Sequence, residues 1–134
     1  MRFPKSAAAV LLLLSCCLIP TIAAASTDPT TGLPIFPGAT VVETQPPVVA
    51  CGMTIRGVQY QSDETATKGV AFFRKALPGA GIWTTPARMT ITEFLMPNGE
   101  ATVRVLGTPD GMYIVYGSLS KPITMSQLRA GFKC

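Results

Sequence analysis

No histidine occurs anywhere in the 134 residues. That absence excludes the Ser-His-Asp triad, the Cys-His pair and the commonest zinc and haem ligand sets. Charge is scarce as well: 13% of the chain is charged, with eleven basic against seven acidic residues. Yet 48% of the residues are apolar, which separates the chain from disordered polyelectrolytes. No apolar run reaches the roughly 20 residues that a membrane-spanning helix needs. The length suits one small domain and not two.

Arg2 and Lys5 head an apolar stretch, residues 7–19, in which only Ser15 is polar, and Ala23-Ala24-Ala25 follows. A basic head, a short apolar core and small residues spaced as A-x-A predict a secretory signal peptide cleaved after Ala25. Leu13-Leu14-Ser15-Cys16 offers a second route, lipidation at Cys16. Residues 17–25 are apolar, however, where a lipoprotein tether is polar, so ordinary cleavage is preferred. Cleavage leaves 109 residues with nine basic and seven acidic side chains. The basic ones are scattered from Arg56 to Lys133, which is no nucleic-acid footprint. Cys16 and Cys17 depart, and Cys51 and Cys134 remain. In an exported chain the simplest reading is one disulfide, Cys51–Cys134. Closing so long a loop is worth roughly 4–5 kcal/mol on the chain-entropy account. Two cysteines without histidine leave a tetrahedral metal short of ligands, so neither metal nor cofactor is expected.

Five prolines within residues 26–50 predict an extended lead-in with one short edge strand at 40–44. Residues 53–60 read as a strand. Ser62 is an N-cap candidate, with Asp63 and Glu64 where the helix dipole favours negative charge. Ala66, Val70, Phe73 and Leu77 then form one helical stripe, and Pro78-Gly79 ends it, which predicts a helix over 63–77. Asn98-Gly99 predicts a type I′ hairpin that sets Phe94 opposite Val103, Glu93 opposite Arg104 and Ile91 opposite Leu106. Thr108-Pro109-Asp110-Gly111 predicts a type I turn with Gly111 in a bulge. The register of the strand at 112–119 stays open, because both of its faces are apolar. Thr124 and Gln127 spell a capping box for a short last helix stopped by Gly131. The expected fold is α+β: a mostly antiparallel sheet in the order strand, helix, three-stranded meander, with the main helix on one face. Residues 1–25 are the signal, 26–50 the lead-in and 51–134 the domain.

Leu33-Pro34-Ile35-Phe36-Pro37-Gly38-Ala39, a helix carrying Phe72-Phe73 and Leu77, and Gly81-Ile82-Trp83 ahead of a meander together resemble a group of small exported bacterial proteins. Those carry a proline–aromatic–Pro-Gly-Ala segment before a Phe/Tyr-rich helix that ends near Gly-Trp. Here Ile82 separates the Gly from the Trp. The resemblance implies export and transfers no active-site residue.

Seven carboxylates show no pair suited to acid–base work, and no Ser-x-x-Lys or phosphate-binding glycine loop is present. Trp83 is expected to pack the helix against the sheet. If the helix covers one sheet face, Ile91, Leu95 and Leu106, interrupted by the Glu93–Arg104 pair, lie on the other. An apolar centre with one charged pair suits an interface. The proline-rich lead-in is expected to shelter it, and Asp at Leu95 or Leu106 to spare the fold while abolishing association. The expected function is a non-catalytic exported domain that binds another protein or itself, as an inhibitor, immunity-type or assembly accessory protein. A small histidine-free hydrolase is the alternative.

Overall fold

The computed structural model describes residues 26–85 and 90–132. The expected signal segment, Met89 and Cys134 lie outside these. The α+β class and the predominantly antiparallel sheet are those expected, but the arrangement is fuller. The strands are β1 (Thr40–Ala50), β2 (Met53–Ser62), β3 (Gly81–Thr85), β4 (Ile91–Leu95), β5 (Ala101–Thr108) and β6 (Gly111–Leu119). Helix α1 (Ala66–Ala76) joins β2 to β3, and α2 (Met125–Arg129) follows β6. The six strands lie in the order β1-β2-β6-β5-β4-β3, every neighbouring pair antiparallel. The chain is thus a hairpin, a helix and a four-stranded meander, not a strand, a helix and a three-stranded one.

The lead-in is not separate from the domain. Its second half is the edge strand β1, eleven residues long instead of the expected five. Pro46 and Pro47 are accommodated because the register shifts between Gln45 and Val48, and an edge strand needs no second ladder of donors. Cys51 and Gly52, both at positive φ, form the two-residue turn between Ala50 and Met53. Positive φ at both central residues is the type I′ signature expected at Asn98-Gly99. There the loop is longer: the Gly99 N–H donates to the Met96 carbonyl, the Met96 N–H donates to the Ala101 carbonyl, and only Gly99 has positive φ. The register survives the change of turn. Phe94 faces Val103, Glu93 faces Arg104 and Ile91 faces Leu106. Pro109-Asp110 closes the next hairpin without a bulge, since Thr108 pairs directly with Gly111.

Helix α1 begins later than the sequence suggests. Thr65 is its cap, its side chain accepting from the Lys68 N–H at 3.4 Å, whereas the Ser62 hydroxyl accepts from the Glu64 N–H in the turn before it. Phe73 and Leu77 are buried, and Phe73 packs among Phe94, Val103, Ile114 and Tyr116 in the main core. The helix approaches the sheet at Gly69, where an added Cβ would collide with Met112 Sδ. At the other end of the chain Thr124 and Gln127 form the complete capping box of α2, and Gly131 follows at φ 72°.

The first part of the lead-in covers the same face as α1, not the opposite one. Asp28 is 1% exposed. Its Oδ1 accepts from the Tyr60 hydroxyl at 2.9 Å, and its Oδ2 accepts from the Thr31 N–H and hydroxyl at 2.9 and 2.8 Å. The Tyr116 hydroxyl donates to the Pro34 carbonyl at 2.8 Å, and Phe36 meets Phe72 edge to face. These bonds pin residues 26–39 over β2 and β6. Six strands at about 4.8 Å spacing span about 24 Å, and a helix covers about 10 Å. With the lead-in on one flank and α1 at the centre, the β4–β5 flank of this face is left as a groove beside the helix.

Burial, and then the hydrogen bond and charge of Asp28, push the Tyr60 phenol up to about 12 from its ordinary 10. Burial raises Tyr116 as well. A raised acid favours the folded state below its unfolded pKa, so this stabilisation is expected to be complete at neutral pH and to disappear between pH 10 and 12. Tyr60→Phe strands Asp28 Oδ1 without its donor and is expected to cost about 1–3 kcal/mol at pH 7 by denaturant unfolding. The variant should lose less stability than the parent between pH 10 and 12.

Candidate functional site

The alternation of each strand and the observed register lay out the face opposite α1 in rows. Ile91, Leu106, Tyr113 and Gln61 are consecutive partners across β4, β5, β6 and β2. The next row runs Trp83, Glu93, Arg104, Val115 and Gln59. The third runs Gly81, Leu95, Thr102, Gly117 and Gly57. Four of the five residues read from sequence as an interaction face therefore fall in the first two rows. Leu95 belongs to the third.

The lead-in does not shelter this face; α2 does, and only at one end. Leu95, Leu119 and Met53 form a second core with Ile123 and Leu128, and Met125, Ile55 and Phe132 pack against it. Gly81 makes room for α2, since a Cβ there would lie 2.9 Å from Met125 Cε. Leu95 is 7% exposed, so it is a core residue and not part of a docking surface. The first row stays open: Ile91, Leu106 and Tyr113 are partly buried, with nothing among the described residues laid over them as α2 is laid over Leu95.

Glu93 is also more enclosed than an ordinary cross-strand partner. It is 3% exposed, while the Arg104 side chain is half exposed. Arg104 Nε and Nη2 both reach Glu93 Oε1, and Oε2 is buried with no hydrogen-bond partner among the described residues. Arg104 is thus the group that keeps a buried carboxylate tolerable, and it presents its remaining donors to the open face. Beside the pair, Gly57 and Gly117 leave a trough of about 230 Å³ bordered by Gln45, Thr102, Leu128 and Phe132.

Trp83 does not pack α1 on the sheet. It stands on β3 opposite Glu93, on the α2 side, and the Arg129 guanidinium lies 5.7 Å from its ring centroid. The signal for this strand was local: Ile82, Trp83, Thr84 and Thr85 are all β-prone types directly after a helix stop. Tyr113 joins the face because the register of β6 turns Met112, Ile114 and Tyr116 to the main core.

No family model matches the chain, and neither a curated protein nor a solved structure matches it. Among the described residues, no three His, Cys, Asp or Glu side chains are grouped to hold a metal ion, and no helix is long and apolar enough to cross a membrane.

Arg104→Ala is expected to destabilise the fold by about 1–3 kcal/mol, more than an exposed ion pair is worth, because it strands Glu93. Glu93→Gln in the Arg104→Ala background should recover part of the loss. A double-mutant cycle in denaturant checks this, and a coupling near zero would contradict it.

Proposed function

We propose that the protein is an exported, non-catalytic domain that binds another protein in the cell envelope through the open rows of its second sheet face. The observation that carries this reading is the half-covered face: α2 buries Leu95, Leu119 and Met53, and stops short of Ile91, Leu106 and Tyr113. A partly buried apolar row beside Trp83 and a half-exposed arginine has the composition of an interface core and its rim. Export rests on the N-terminal pattern of Arg2, Lys5 and residues 7–25.

In an oxidising compartment Cys51 and Cys134 would be joined. In support, Cys51 Sγ lies 2.9 Å from the carbonyl oxygen of Phe132, two residues before Cys134 in the chain. A bond there would fasten the chain end beyond α2 to the β1–β2 turn and help hold α2 on its half of the face. Alkylation without reductant followed by intact-mass measurement is expected to find neither thiol labelled. Two labelled thiols would refute the bond.

Leu106→Asp is expected to keep a cooperative thermal transition and to lose a stoichiometric partner captured from the native envelope. Leu95→Asp places a carboxylate in the second core and should cost several kcal/mol or abolish folding. Capture of the same partner by Leu106→Asp with unchanged affinity would overturn the proposed face.

A further inference from the structure

We propose that the groove between α1 and the β4–β5 flank of the main-core face binds a small carboxylate amphiphile, its apolar body against the sheet and its anionic head at Arg74. The groove measures about 750 Å³, within the range of about 300–1,000 Å³ typical of small-molecule sites. Its origin is the mismatch between one helix and six strands. Gly69 seats α1 against Met112 of β6, and Gly107 of β5 lets Ala66 come close, a Cβ there lying 3.2 Å from the Ala66 Cβ. The flank of the helix turned towards β4 then carries Ala66, Val70 and Ala71, side chains too short to fill the space over Thr92 and Val105.

The lining sets the chemistry of the occupant. The body of the groove is made by alanine, valine and proline side chains and the Gly107 backbone, together with Thr67, Thr90, Thr92 and Thr108. Thr92 is buried and exchanges a hydrogen bond with Thr84 at 3.2 Å, so the floor presents chiefly methyl groups. Among the described residues one charged side chain lines the groove, the cation Arg74 near the C-terminal end of α1, and no carboxylate does. Among the described residues, the two ion pairs are Lys68 with Glu64 and Arg104 with Glu93, so Arg74 has no acidic partner there. An apolar body ending in a carboxylate matches this distribution, with the guanidinium fork at its head. The groove lies across the sheet from the Leu106 face, and the two sites are tested separately.

The test uses the full chain, expressed and purified, with decanoate and decanol as probes in calorimetric titrations and amide-shift maps. The expected result is saturable 1:1 binding of decanoate, with shifts centred on Val70, Ala71, Val105 and Gly107. Arg74→Gln should weaken decanoate about fivefold or more, and decanol should bind the parent no better than decanoate binds that variant. Ala71 is exposed, so Ala71→Trp should fill the groove and abolish binding with its thermal transition intact. If Ala71→Trp does not fold, Arg74→Gln and the shift map decide. Leu106→Asp should bind decanoate like the parent. The proposal is overturned by no saturable binding, by shifts centred elsewhere, by unchanged decanoate affinity in Arg74→Gln, or by parental affinity in a folded Ala71→Trp.

Discussion

Phe73 is the point at which the layers of this protein meet. Its ring centroid lies 5.8 Å from that of Phe94 on β4 and 6.0 Å from that of Tyr116 on β6, so one side chain ties the helix across the middle of the sheet. The contact extends in both directions. Phe72 leads on to Phe36 of the lead-in, and Tyr116 leads on to Tyr60, each step edge to face. Aromatic pairs of this kind add about 0.5–1.5 kcal/mol each beyond the area they bury. Tyr60 and Tyr116 then spend their hydroxyls on Asp28 and Pro34. A helix, three strands and an irregular segment are thereby held by one continuous set of rings, and the polar tips of the tyrosines fix where the irregular segment lies.

With the centre occupied in this way, neither face of the sheet is covered evenly. On the α1 face the lead-in takes the β2 side and the groove is left at the β4 side. On the other face a five-residue helix can shelter only the end where Leu95, Leu119 and Met53 gather. The two bare regions differ in character. One is a concave cleft in which Arg74 is the one charged lining residue among those described, suited to a small molecule. The other is a nearly flat row bordered by tryptophan and arginine, suited to a protein surface.

The sequence was most legible where the deciding interactions are local. Thr124 and Gln127 announce a capping box, and three residues of spacing suffice to form it. The register of β4 on β5 was legible although the turn type was not: a two-residue turn at Asn98-Gly99 and the observed longer one both leave Met96 opposite Ala101, and alternation places every other pair. The cap of α1 misled because Ser62 is the stronger cap type by residue preference, yet it is held in a turn before the helix and Thr65 takes the role. What pattern could not show was set by packing between distant segments. Leu95 has the same alternation as Ile91, and only the position of α2 makes one core and the other surface. Proline content disqualified residues 45–50 as a central strand but left an edge strand open, and β1 used that allowance.

β1 carries a second meaning. Val41, Val42, Val48 and Val49 are each at least half exposed on a strand whose outer side has no sheet neighbour among the described residues. Valine-rich open edges are where one copy of a protein templates the next into a growing ribbon. Here the ladder is broken in two places, after Val41 and at Pro46-Pro47. No stretch of this edge therefore offers an incoming strand more than a few regularly spaced donors. The irregularities that make β1 hard to recognise as a strand also break the even ladder on which an incoming strand would have to pair.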